Sequence, residues 1–150
     1  MIIGSWALFA LSAAIFWGLA YTMSGQVVRA GISTPFILGF VAVVTLPIYV
    51  TALIKTESFR PSLDIILNNK MLLLFLAVQA FSLLMGQYLI YAAIAQKSVT
   101  YAAILEISYP IFVCLFTWIL FKDLQMSWNI AFGGLLIFAG SALVFLKSGS

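Results

Sequence analysis

The chain has 150 residues, 65% of them hydrophobic and 7% charged, with a formal net charge of +3. A soluble domain carries about 25% charged residues, so a fold of this size cannot hide its apolar surface from water, and a lipid bilayer must be the solvent for most side chains. The seven Lys and Arg residues are spread singly, which excludes nucleic acid as a partner, and one Cys with no His excludes an intrachain disulfide, a metal cluster or a His-dependent triad, so neither an enzyme nor a cofactor is expected.

The first predicted element is a spanning helix over about 4–24. Residues 1–28 carry no charge and no basic stretch precedes the apolar run, so a retained helix is expected instead of a cleaved leader. Within it Trp17, Tyr21 and Ser24 stack at helical spacing and offer aromatic walls and a hydroxyl to an organic solute. The second helix is expected over 34–54, with Thr34 as its N-cap and Pro35 at the first helical position. Pro47 would free the carbonyl of Val43 in its interior. Residues 55–70 form the one sizeable loop, and residues 61–67 within it read as a short interfacial helix.

The third span is expected over 71–95. Gln79, Ser82 and Gly86 share one face, while Gln87 and Tyr91 share a neighbouring one. These side chains suit either a polar ligand or hydrogen bonds between helices, which average about 0.6 kcal/mol in a membrane. The fourth span, 101–121, contains Glu106, the single ionisable carboxyl in any span. It lies about five residues from the middle, roughly 7–8 Å along the axis. A charge at such depth costs at least ~2.5–3.5 kcal/mol, so the default is a polar cavity and a task. A low-dielectric setting favours the neutral acid, which makes reversible protonation the expectation. Pro110 has no N–H for the carbonyl of Glu106, so one helical step presents a free oxygen beside a carboxylate. Tyr109 and Thr117 are expected on the face of Glu106. The last span, 128–146, starts at the N-cap candidate Ser127; its Gly133 and Gly140, two turns apart, form a seam for close approach of another helix.

Lys55, Arg60, Lys70 and Lys122 fall on one side of this topology, and Arg29, Lys97 and Lys147 on the other. Four against three is a weak orientation bias, slightly favouring a cytoplasmic N-terminus. It is also what a chain inserting in both orientations would need.

The run Gln96-Lys97-Ser98-Val99-Thr100-Tyr101-Ala102-Ala103, then Tyr109-Pro110, Lys122-Asp123 and the stretch from Gly133 to Gly140 resemble the C-terminal half of an EamA-type repeat. Trp17-Gly18 and Ser33-Thr34-Pro35 fit the same pattern, so the resemblance covers nearly the whole chain. The repeat belongs to the drug/metabolite transporter superfamily. Two departures stand out. Lys122-Asp123 replaces the Gly-Glu pair common after the fourth helix, and the first helix lacks the acid of the small multidrug resistance branch, so that branch's exchange site does not carry over. Gly133 and Gly140 do fill that branch's dimerisation motif.

The resemblance implies an all-α, five-helix membrane bundle forming one half of an inverted-repeat transporter. The expected function is alternating-access export or exchange of a small organic solute, with protons as a candidate co-substrate, in the bacterial plasma membrane. Substrate or proton binding falls to Glu106, Tyr109, Pro110, Gln79, Gln87, Tyr91, Trp17 and Tyr21, and dimer packing to Gly133 and Gly140. A homodimer, antiparallel if insertion is dual, is the first expectation. An obligate subunit paired with a different five-helix chain and a non-transporting accessory protein are the alternatives.

Overall fold

The computed structural model describes residues 4–122 and 127–147 of the chain, and the side chains of these up to residue 146. The described residues form helices and no strands: α1 (Ser5–Arg29), α2 (Thr34–Lys55), α3 (Phe59–Asn68), α4 (Lys70–Gln96), α5 (Val99–Glu106), α6 (Tyr109–Phe121) and α7 (Trp128–Lys147). Five stretches are long and apolar enough to cross a membrane: α1, α2, α4, the pair α5–α6 taken together over Val99–Phe121, and α7. The described residues therefore make a five-span, all-helical unit of a multi-pass membrane protein. By internal contacts the chain divides into two units, Val27–Ala92 and a second built from Met1–Gln26 with Ala93–Ser150.

Each end of these helices has a local cause. α1 continues a full turn past the end expected from its apolar run, because Arg29 suits the negative end of the helix dipole and can reach the interface. It stops at Gly31, whose φ of 83° is the left-handed conformation that a side chain disfavours. There Gly31 N–H donates to the Val28 carbonyl and Ile32 N–H to that of Val27, closing the last turn. The N-cap of α2 is Ser33, one residue earlier than expected: Thr34 is already helical, and Ser33 is the extended residue. Pro35 then occupies the first turn, where its missing N–H costs nothing. α2 runs through Pro47 without a break, and the Thr51 hydroxyl donates to the Pro47 carbonyl at 2.7 Å.

The short helix expected within residues 55–70 is longer than its apolar core implied. α3 begins at Phe59, holds Pro61 in its first turn and spaces Phe59, Leu63 and Ile66-Leu67 along one side. Asn69 caps α4 by accepting from Met71 N–H at 3.1 Å. Ser127 caps α7 as expected, accepting from Ile130 N–H at 3.4 Å. The span Val99–Phe121 is bracketed by cations over aromatic rings: Lys97 Nζ lies 5.6 Å from the Tyr101 ring and Lys122 Nζ 5.4 Å from that of Trp118.

Lys122 ends α6 at φ 55°, a left-handed residue in the place where the repeat commonly has glycine. The backbone thus explains the glycine of the pattern, and the lysine here accepts a conformation costing about 1–2 kcal/mol. Asp123, the acid of that pair, lies outside the described residues.

Few apolar side chains are buried. Ile37, Ile90, Tyr91, Ile94 and Ala102 are, whereas Trp6, Phe9, Phe16, Leu136 and Leu146 are each more than 70% exposed. Lipid must cover the latter, and with so little apolar core, packing rests on close backbone approach and on hydroxyls.

Candidate functional site

The fourth span is where the structure departs most from a regular helix. α5 ends at Glu106, Ile107 and Ser108 form a turn, and α6 starts at Tyr109 with Pro110 in its first turn. The span expected over 101–121 is present, as two helical segments joined at residues 107 and 108. Tyr109 and Thr117 lie beyond this turn, in the second half of the span. Tyr109 is 60% exposed at the start of the second half, and the Thr117 hydroxyl turns back onto the Val113 carbonyl at 2.8 Å.

The carbonyls of the last turn of α5 show how the break is held. Ala103 accepts from Ile107 N–H at 3.1 Å, and Leu105 from Ser108 N–H at 3.2 Å. That second bond is a tighter i→i+3 step, which diverts Ser108 from Ile104. Ile104 instead accepts from the Ser141 hydroxyl of α7 at 2.9 Å. Glu106 would require the amide of residue 110, and proline has none. Ser141, only 3% exposed, thus substitutes for a lost backbone donor and ties α7 to the half-helix. The sequence reading missed it; its signal was a lone hydroxyl after Gly140 in an otherwise apolar helix.

α1 approaches the other side of α5. The buried Gly25 meets Val99, where an added Cβ would lie 3.2 Å from Val99 Cγ1. Further back along α1, Tyr21 donates its hydroxyl hydrogen to the Glu106 carboxylate. The two pairs run in opposite order, so α1 and α5 are antiparallel here. Trp17 packs one turn before Tyr21, with ring centroids 5.9 Å apart and planes at 36°. Ser24, expected to continue this stack toward a solute, is buried and turns its hydroxyl to the Ala20 carbonyl at 2.8 Å.

Trp17, Tyr21 and Glu106 are thus brought together inside one unit, beside the break ahead of Pro110. Tyr21 is half-buried, while Glu106 and Trp17 are exposed. The packing of the chain does not bury the carboxylate. Glu106 lies seven residues beyond Val99 in the span, roughly 10 Å inside its end. Gln79, Gln87 and Tyr91 lie on α4 in the other unit, where Gln79 is exposed, Gln87 half-buried and Tyr91 buried.

The glycines of α7 have open surroundings. A Cβ at Gly133, Gly134 or Gly140 would meet nothing within 4 Å. Gly133 and Gly134 line an apolar groove of about 610 Å³ between α6 and α7, together with Pro110, Cys114 and Trp118.

The chain matches the EamA-like transporter family over residues 4–146. Searches of curated proteins and of solved structures each returned no match. The family match takes in α1 through α7, including the aromatic pair, the carboxylate and the broken span. The chain belongs to the EamA-like transporter family of the drug/metabolite transporter superfamily.

Proposed function

We propose that this protein moves a small organic solute across the membrane by alternating access, by export or exchange, with Glu106 as a site that takes up and releases a proton. The observation that carries this reading is the exposed carboxylate within the span, held by the Tyr21 hydroxyl at a helix break. An ionised carboxylate facing lipid at this depth is too costly to persist, so it must face a polar cavity. Breaks of this kind are where transporters bind solutes and ions. In the same proposal Tyr109 and Pro110 shape the break, and Trp17 and Tyr21 supply the aromatic wall.

A single five-span unit begins and ends on opposite sides of the membrane, and an inverted-repeat transporter needs a second unit of opposite orientation. We assign that role to a second copy, packed through the unoccupied glycine face of α7. The four-to-three split of Lys and Arg between the two sides supports such dual insertion.

Proteoliposomes containing this chain as their sole protein, loaded with a mixture of small metabolites, test the reading. An imposed pH gradient is expected to drive loss of one or a few organic solutes, measured by mass spectrometry. Retention of every solute would leave the chain an accessory membrane protein, and flux restored only by a second five-span protein would make the transporter heterodimeric.

A further inference from the structure

We propose that α3, with the cations at the adjoining ends of α2 and α4, is a docking surface for the bilayer itself. Its apolar side lies among the outer acyl segments of one leaflet, and Lys55, Arg60 and Lys70 hold lipid phosphates. The assignment does not depend on what the chain transports. Phe59, Leu63, Ile66 and Leu67 fall on one side of this helix, and Arg60, Asp64 and Asn68 on the other. No residue of α3 is buried; Phe59 is 58% exposed and Leu67 67%. The chain leaves this apolar side uncovered, and something else has to remove it from water.

The connections to the spans decide what covers it. α2 and α4 are consecutive spans, so Lys55 and Lys70 emerge on the same face of the membrane. Residues 56–58 separate α2 from α3, a reach of roughly 14 Å, and Asn69 alone separates α3 from α4, roughly 7 Å. Both ends are thereby tied to the membrane surface, and a helix of about 15 Å cannot carry its apolar side away from it. The backbone leaves the helical region on each side, with Glu57 at φ 51° and Asn69 at φ −137°. α3 is therefore a helix of its own and continues neither span.

The charges complement a layer of phosphates. Lys55, Arg60 and Lys70 are exposed and outnumber Glu57 and Asp64 over residues 55–70. Long basic side chains lay their stems on apolar groups while the charged head reaches the phosphates. On α2 an open apolar groove of about 410 Å³ is lined by Pro47, Ile48, Thr51, Ala52 and, at the end of the helix, Lys55. The Thr51 hydroxyl is turned to the Pro47 carbonyl, so the groove offers an acyl chain an apolar wall and its phosphate a lysine. Amphipathic helices of this kind lie in the interface plane, with the apolar side at the acyl boundary.

Nitroxide scanning of the full-length protein in phospholipid nanodiscs, in a Cys114→Ser background, tests this. Labels at Leu63, Ile66 and Leu67 should collide with oxygen, which dissolves in the bilayer, and lose contact with a water-soluble nickel chelate. Labels at Arg60, Asp64 and Asn68 should do the reverse. Ile65 separates helix geometry from mere hydrophobicity. It is apolar and 59% exposed, yet falls on the polar side, so its label should meet the chelate. Replacing Lys55, Arg60 and Lys70 together with Gln should lower retention of phosphatidylglycerol relative to phosphatidylcholine about fivefold or more, read by native mass spectrometry. Chelate contact all round α3 would place it in water and overturn the proposal. Protection of the apolar side from both probes would assign that side to a protein partner, a second copy included, and overturn it as well. An unchanged lipid ratio in the Gln variant would overturn the phosphate assignment.

Discussion

Gradient-driven solute flux is expected to fall roughly 10- to 150-fold in Glu106→Gln, with insertion and assembly unchanged. The charge-assisted hydrogen bonds that the carboxylate would give a solute, worth about 1.5–3 kcal/mol, are what glutamine forfeits, which converts to that range. Glutamine keeps the size of the side chain and can still accept from the Tyr21 hydroxyl, so the tie between α1 and α5 persists. What it loses is the ability to gain and release a proton. Flux in the variant should therefore show no response to pH, whereas the wild type responds. Glu106→Asp should keep partial activity with a displaced pH profile, because the shorter acid no longer reaches Tyr21 in the same way. The readout is uptake into proteoliposomes under an imposed pH gradient. A glutamine variant with wild-type flux and pH response would make Glu106 a packing residue.

The second large effect is expected from α7. Gly133→Leu combined with Gly140→Leu should weaken self-association by at least about tenfold, equivalent to 1.4 kcal/mol. At both glycines an added Cβ would meet nothing within 4 Å in the same copy. The bulk would instead fall on whatever helix packs there from outside. The buried Ser141 belongs to the contact with α5 and leaves that outer face untouched. Size-exclusion chromatography with light scattering in mild detergent should show a folded monomer. A dimer that survives both substitutions would place the second copy elsewhere.

The five spans were legible because charge alone separates them: long uncharged runs admit few other readings. The break in the fourth span was harder to see. Ser33-Thr34-Pro35 and Ser108-Tyr109-Pro110 have the same form, and both begin a helix. Thr45-Leu46-Pro47 also has it, and α2 continues through. The pattern therefore marks where a helix can start afresh, and tertiary contacts decide whether it does. At Pro110 the Ser141 hydroxyl, shared with the Ile137 carbonyl of its own helix, meets the Ile104 carbonyl that the break strips of its donor. That residue lies 37 positions from Ile104 in the chain, beyond the reach of local periodicity.

The candidate site was legible in part for the same reason. Glu106 stood out because ionisable groups are rare in spans, and Tyr21 and Trp17 because aromatics one turn apart are simple to recognise. Their meeting across 85 positions was not legible, since it depends on the antiparallel approach that Gly25 allows against Val99. Helical spacing relates Tyr109 and Thr117 to Glu106 only while the helix is unbroken, and the turn at residues 107 and 108 intervenes.

The central claim is that Glu106 takes up and releases a proton within reach of Tyr21, and infrared difference spectroscopy between about pH 5 and pH 8 reads this directly. The purified protein should show a carboxylic acid band that appears at the lower pH, is lost in Glu106→Gln and is shifted in Tyr21→Phe, where the donor is gone. The same band persisting unchanged in Glu106→Gln would assign it to Glu57, Asp64 or Asp123 and contradict the claim.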